Sequence, residues 1–346
     1  MEQQIKELNK LIKNSERIVI TSHISPDPDA VSSVLLLGRI LETNYPDKKN
    51  EMVMEEEPLS DLSFLQGYDL LKFTPVKQAL VDLNADLFVI VDANSYDRVS
   101  RNEGEQIRSY VAKRKDDLRT AIIDHHELDG REGVDVFINN KRPATAEEVC
   151  VLFFEQMHLK KPEGYAETAL LGIISDTQRH RFDHPGYRET YRIVSDLLDA
   201  GASIEKLESK LEHYNKNELE AIAHLAANIA SRDGYTYSFI SDEFLNEWQA
   251  QNKPVIDLKN AAELFVNKFI RNFEGNKWGF IVYPELVAGP GCWDVSFRAL
   301  SGSQDVSAIA RNLGGGGHKP AAGAKIEAAS VGEAIQKVQN VIKSEN

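Results

Sequence analysis

The chain of 346 residues is about twice a usual single-domain length, which leaves room for two domains with separate cores and excludes one small disulfide-stapled module. Its 42% hydrophobic and 27% charged residues are the composition of a folded globular protein and exclude global disorder. With 40 Lys and Arg against 54 Asp and Glu the net charge is −14, which opposes a long polyanion as partner but leaves short or metal-bridged phosphates open.

The first residues, Met1 to Leu8, carry charges where a signal peptide needs an apolar stretch, and periodicity predicts an amphipathic helix over about 1–15. Ile18 to Ser22 is short and β-branched, as a buried strand should be. A loop with two prolines follows, then helical spacing from Ala30 to Leu41. Further buried strands are expected at Leu87–Val91, Ala121–Ile123 and Val134–Ile138, with helices at Thr145–Met157 and Tyr165–Asp176. The alternation predicts an α/β fold: an N-terminal, mostly parallel sheet flanked by helices, with ligands bound beyond the carboxyl ends of its strands. A charged helical stretch from Ile204 to about Ala230 reads as a linker, and strands at Tyr235–Ile240, Trp278–Tyr283 and Asp294–Arg298 indicate a smaller C-terminal α+β domain. The longest apolar stretches, Val34–Leu37 and Ala169–Ile174, are far shorter than the roughly 18 residues needed to span a bilayer, so a cytoplasmic location and no membrane partner are expected. Cys150 and Cys292 lack any knuckle or C-x-x-C spacing and read as buried free thiols.

Four polar clusters stand at strand or helix ends: His23-Ile24-Ser25-Pro26-Asp27-Pro28-Asp29, Val91-Asp92-Ala93-Asn94, Asp124-His125-His126 and Ser175-Asp176-Thr177. Singly, each is an ordinary cap or turn. Together they deliver imidazoles and carboxylates to one edge of one sheet, in a number that exceeds what one tetrahedral zinc uses. The oxygen-rich set suits Mn²⁺ first and Mg²⁺ second, and two divalent ions are the natural count.

In this order the clusters resemble the four motifs of the DHH phosphoesterase superfamily. Gly314 to Gly323, with Val295-Ser296-Phe297-Arg298 and Asp305-Val306-Ser307 upstream, resembles the signature of the DHH-associated C-terminal domain. The resemblance spans nearly the whole chain, whose length matches the branch of nano-RNases and pAp (3′-phosphoadenosine-5′-phosphate) phosphatases. It implies a metal-binding catalytic domain at 1–195, a helical linker at 196–224 and a substrate-binding domain at 225–346. It makes His23, Asp27, Asp29, Asp92, His125 and Asp176 metal ligands, with Asp92 the bridge. His126 would face the scissile phosphate, and Asp124 would orient the histidine pair. The family more often has Gly at the places of Pro28 and Gln178, and Ser-Asn where this chain has Glu127-Leu128.

The glycine run can bring backbone amides close to an anion, and residues 296–325 carry a net charge of +3 in an acidic chain. Arg298, Gly315, Gly316, Gly317 and His318 are therefore the expected substrate-binding residues. Trp278, Phe280, Tyr283 and Trp293 read as core. The implied function is metal-dependent hydrolysis of short single-stranded oligoribonucleotides or linear dinucleotides (pGpG, pApA) to mononucleotides, with pAp to AMP as a further activity, by a two-metal hydroxide mechanism. Long duplex nucleic acid is not an expected partner, and a homodimer is compatible with the reading. An inorganic pyrophosphatase or polyphosphatase, and a catalytically silent nucleotide sensor, stand as alternatives.

Overall fold

The computed structural model describes residues 2–58, 60–126, 133–181, 184–211, 213–285 and 291–345, so the departures at Glu127 and Leu128 lie outside the described residues. The chain divides into two compact units, Met1–Glu212 and His213–Asn346.

The first unit opens with α1 (Glu2–Asn14), β1 (Arg17–Thr21), α2 (Pro28–Asn44), β2 (Lys49–Met54) and β3 (Leu71–Phe73). It continues through α3 (Val76–Asp82), β4 (Leu87–Val91), α4 (Tyr96–Val99), α5 (Gly104–Lys113), β5 (Arg119–Ile123) and β6 (Val136–Ile138). It closes with α6 (Thr145–Cys150), which runs on as a π-helical turn over Val151–Gln156, then α7 (Tyr165–Asp176), α8 (Tyr187–Asp199) and α9 (Ile204–Leu211). The strands lie in the order β3-β2-β1-β4-β5-β6, and every pairing is parallel.

Helices cover both faces of this sheet, which is why its central strands are unbroken apolar runs. Ile18 and Ile20 of β1, and Leu87, Val89 and Val91 of β4, join a core with α1, α2, α7 and α8; Val19, Phe88 and Ile90 point the other way, onto α3, α4 and α5. β2 and β3 escape a reading by apolar runs because Lys49-Asn50-Glu51 is polar and β3 has only 3 residues. The stretch expected as a linker is shared between the units: Leu197 of α8 and Leu207 of α9 are buried in the first unit's core, whereas α10 (Lys216–Ala227) buries Ala221 and Leu225 in the second.

The second unit continues with β7 (Ala230–Arg232), β8 (Tyr235–Phe239), α11 (Asp242–Ala250), α12 (Val255–Lys268), β9 (Trp278–Pro284) and β10 (Cys292–Ala299). It ends with α13 (Val306–Asn312), β11 (Gly316–His318), β12 (Ala321–Glu327) and α14 (Val331–Glu345). Its sheet, β11-β12-β10-β9-β8-β7, is antiparallel except for the β8–β9 pair. Phe280, Tyr283 and Trp293 are buried core residues, and Trp278 is partly buried against the cluster that holds Phe280 and Trp293. Both cysteines are free. Cys292 is partly exposed rather than buried, because the period of two in β10 places it on the face of Asp294 and Arg298, opposite Trp293 and Val295. Among the described residues no helix is long and apolar enough to cross a membrane.

α7 lies close against α2 and α6 because it carries a glycine at the contact. A Cβ on Gly172 would sit 2.5 Å from Asp29 Oδ1 and 2.6 Å from the Ala146 Cβ. Gly172→Ala should therefore cost about 1–3 kcal/mol through overpacking, read as a lowered urea midpoint at unchanged slope. An unchanged midpoint would show that the three helices have slack.

Candidate metal centre

The four polar clusters do meet, and all of them within the first unit. His23 follows β1, Asp27 caps α2, Asp29 sits in the first turn of α2, Asp92 follows β4, Asp124 to His126 follow β5, and Asp176 ends α7. Asp27 accepts the Ala30 amide at 3.0 Å as N-cap, and Pro28 occupies the first turn, where a missing N–H is no loss. The family's more frequent glycine is thus replaced without disturbing the turn.

Among the described residues three groups of ligand atoms form, the atoms of each lying within 4.8 Å of one another: His23, Asp27 and Asp92; Asp92, His125 and His126; and Asp29, His125 and Asp176. Asp92 joins them. Its Oδ2 lies 3.5 Å from His23 Nε2, and its Oδ1 lies 3.4 Å from His125 Nε2. Asp92 is buried in a left-handed backbone conformation (φ 56°), which directs its side chain back across the strand end. His125 Nε2 also lies 3.0 Å from Asp176 Oδ2.

Tautomers follow from the partners. His23 Nδ1 faces the Ile24 carbonyl at 2.8 Å, and His125 Nδ1 faces the Arg142 carbonyl at 3.2 Å. A carbonyl only accepts, so each Nδ1 donates and each Nε2 is left aimed at carboxylate oxygens. A lone pair opposite a carboxylate is repulsive unless a proton or a cation lies between them. His125 Nε2 is a buried atom set between the Asp176 and Asp92 carboxylates at 3.0 and 3.4 Å. Nitrogen and oxygen donors in this arrangement fit divalent cations.

Asp124 plays a narrower part than orienting both histidines. Its Oδ1 accepts His126 Nδ1 at 2.8 Å and the His126 amide at 3.3 Å, while His125 is oriented by Arg142 instead. His126 Nδ1 also lies 3.6 Å from Asp92 Oδ1, but Asp124 claims its proton, so Nε2 is the nitrogen left for other work.

The electrostatics express crowding. Burial and then the charges of Asp92 and Asp176 push Asp27 up to about 6, and the same causes hold Asp29 well above the ordinary carboxylate range. Burial also opposes ionisation of Asp92, but the imidazoles outweigh it and its pKa is lowered. For His23, burial disfavours the proton while Asp92 and Asp27 more than compensate, giving about 9; His125 is raised well above its ordinary value by Asp176 and Asp92 against the same opposition.

The loop after Asp176 explains a second departure from the family. Gln178, Arg179 and His180 all have positive φ (46°, 60° and 57°), a conformation glycine adopts without strain. The turn is held by the His180 amide on the Thr177 hydroxyl (3.2 Å) and by Arg179, whose Nε and Nη2 both donate to Glu208 Oε2 (2.9 and 2.6 Å).

The expected substrate residues belong to the second unit. Arg298 is held by Asn267 Oδ1 (2.8 Å), the Phe297 carbonyl (2.9 Å), Ser296 Oγ (3.1 Å) and Glu263 Oε2 (3.3 Å). Gly315 and Gly317 are required by packing, since a Cβ on Gly315 would meet the Gly323 carbonyl at 2.1 Å, and one on Gly317 would meet the Ala322 Cα at 2.6 Å. Gly316, by contrast, faces open space. Sequence reasoning missed Thr145, whose hydroxyl donates to Asp92 Oδ1 at 2.9 Å, because the residue lies 53 positions away in an unremarkable helix start.

Residues 17–173 match the DHH family, N-terminal domain, and residues 256–344 match the DHHA1 domain. The bifunctional oligoribonuclease and PAP phosphatase NrnA of Mycoplasma pneumoniae is 28% identical over 342 residues, covering 98% of this chain and 96% of that protein. The protein of the same name from Bacillus subtilis is 24% identical, covering 92% of each. The crystal structure of an exopolyphosphatase-related protein from Bacteroides fragilis has the same fold, with a TM-score of 0.84 at 21% identity over 99% of this chain and 96% of that one.

Stability should report the crowding. The raised Asp27 and Asp29 give stability that is present below their ordinary pKa and lost as pH rises through about 6 for Asp27 and higher for Asp29. For His23 the gain is complete below 6.5 and lost as pH rises through about 9. Both slopes have the same sign, and a bound cation replaces the departing protons. Mn²⁺ should raise Tm more at about pH 8 than at about pH 5.5 in scanning fluorimetry with a chelator control. Equal increments at both pH values would count against these six side chains as a cation site.

Proposed function

The chain belongs to the DHH family of phosphoesterases and carries a DHHA1 domain, and on that premise we propose that it hydrolyses short oligoribonucleotides or linear dinucleotides to mononucleotides, and pAp to AMP, with two divalent ions. One observation supports the reading: His23, Asp27 and Asp92 form one donor group and Asp29, His125 and Asp176 another, and Asp92 lies between them, 3.5 Å from His23 Nε2 and 3.4 Å from His125 Nε2. His23, Asp27 and Asp92 would hold one ion, and Asp29, Asp92, His125 and Asp176 the other, with Mn²⁺ preferred over Mg²⁺. When bound, such ions polarise phosphoryl oxygens and lower the pKa of water. The protein's own residues do the rest. Asp124 fixes the Nδ1 proton of His126, so Nε2 is the atom that meets the phosphate or the leaving oxygen. The substrate class is supported by the full-length relatives from M. pneumoniae and B. subtilis, whose names are oligoribonuclease and PAP phosphatase.

A panel of pyrophosphate, pAp, pGpG, pApA, a 5-mer and a 24-mer RNA, each with Mn²⁺ and with Mg²⁺, tests the proposal. Turnover of the dinucleotides, pAp and the 5-mer over pyrophosphate and the 24-mer is the expected result; pyrophosphate as best substrate would overturn it.

Asp92→Ala should abolish turnover and lower the Mn²⁺ content, because both proposed ion sites lose a ligand. His126→Ala should lower kcat by roughly 10²–10⁴-fold and leave the Mn²⁺ content unchanged by elemental analysis. Loss of an ion from the second variant would make His126 a ligand.

Arg298, His318 and the amides of Gly315, Gly316 and Gly317 are proposed to grip the part of the nucleotide beyond the scissile phosphate. Losing a charge-assisted phosphate contact costs roughly 1.5–3 kcal/mol, or about ten- to over a hundred-fold. Arg298→Ala and His318→Ala should therefore impair dinucleotide hydrolysis far more than hydrolysis of bis-p-nitrophenyl phosphate. Equal losses on both substrates would mark these residues as structural.

A further inference from the structure

Residues 142–148 reach three of the six candidate ligands from one short segment. Both oxygens of Asp29 accept backbone amides, Oδ2 from Thr145 at 2.7 Å and Oδ1 from Ala146 at 3.0 Å. The Thr145 hydroxyl donates to Asp92, and the Arg142 carbonyl accepts His125 Nδ1. Asp29 and His125 belong to the same donor group, and Asp92, a member of the His23–Asp27 group, also reaches His125 Nε2 at 3.4 Å.

The segment is itself pinned by a second buried cluster that takes no part in the chemistry. Arg142 Nη1 donates to Glu147 Oε1 at 2.9 Å, and its Nε lies 3.4 Å from Glu148 Oε2. Asn140 donates to Glu148 Oε1 at 2.6 Å. Glu147 and Glu148 are both fully buried, and burial raises the pKa of each against the opposing pull of Thr190 and Arg142 on Glu147 and of Asn140 and Arg142 on Glu148. Two buried acids against one guanidinium are a costly way to stabilise a helix, since apolar side chains of similar volume would do so at least as well. What such an arrangement does provide is a fixed position for the Arg142 carbonyl and for the first turn of α6. Partners of this kind, one step removed from a metal ligand, fix its orientation and basicity.

We propose that Arg142, Glu147 and Glu148 are positioning residues that set the cation affinity of the Asp29–His125–Asp176 half of the centre far more than that of the His23–Asp27 half, which the segment touches only through the Thr145 hydroxyl on Asp92. The proposal rests on the two-ion reading. It predicts an asymmetry that a general loss of stability does not produce.

The test is calorimetric titration of the full-length, metal-free protein with Mn²⁺. Wild type should take up two equivalents. Arg142→Met should weaken one of them by about tenfold or more and leave the other within about two-fold, the retained site showing that the variant is folded. Arg142→Lys, able to pair with one carboxylate, should recover part of the loss. Thr145→Val, which removes the hydroxyl on the shared Asp92, should weaken both equivalents. Should Arg142→Met fail to fold, Arg142→Lys and Glu148→Gln carry the same comparison. Arg142 variants that weaken both equivalents alike, or neither, overturn the positioning role; fewer than two equivalents in the wild type overturns the two-ion reading itself, and the positioning role with it.

Discussion

Mutual repulsion among Asp27, Asp29, Asp92 and Asp176 is the constraint around which the first unit is arranged. Two of these carboxylates are among its most buried polar groups, and burial together with the neighbouring negative charges raises the pKa of Asp27 and Asp29. Among the described residues no lysine or arginine forms an ion pair with them. The surroundings supply fixed donors instead: two amides on Asp29, a hydroxyl on Asp92, and imidazoles whose outer nitrogens are tied to carbonyls. Each donor sets a direction while leaving net negative charge in place. That is the condition a divalent cation requires of its site.

The sheet determines where this charge collects. With the order β3-β2-β1-β4-β5-β6, the chain runs outward from β1 to β3 and then returns to the other side of β1 for β4. Connections leave β1 and β4 toward opposite sides, and a crevice opens beyond their carboxyl ends, where open parallel sheets bind ligands. His23, Asp92 and the Asp124–His126 segment come from three adjacent strands at that crevice. Asp27 and Asp29 come from the start of α2, and Asp176, at the end of α7, reaches the cluster because Gly172 lets α7 lie directly on Asp29.

The glycine run of the second unit shows how two demands meet in one sequence. Gly315 and Gly317 are dictated by contact with β12, whereas Gly316 has open space where a side chain would go, so packing does not account for it. Arg298, in the same unit, is neutralised by Glu263 and braced by Asn267. A guanidinium held this way is preorganised, so an anion that reaches it meets a donor whose orientation is already set.

The sequence by itself determined the things that depend on neighbours along the chain. The apolar runs of β1, β4 and β5 announced buried parallel strands, and Asp92 or Asp124 directly after such a run had to emerge at a strand end. The spacing from His23 to Asp29 was legible for the same reason: one turn and one helix start carry it. Only the tertiary structure decided how the candidate ligands gather around Asp92 and His125, because that depends on which strands lie side by side. It alone decided that Thr145 and Arg142 hold ligands distant in sequence, that Asp124 serves His126 and not His125, and that polar β2 joins the sheet. Local pattern records which face of a strand or helix is buried. It does not record what lies on the other side of the contact, and there the geometry of this centre is set.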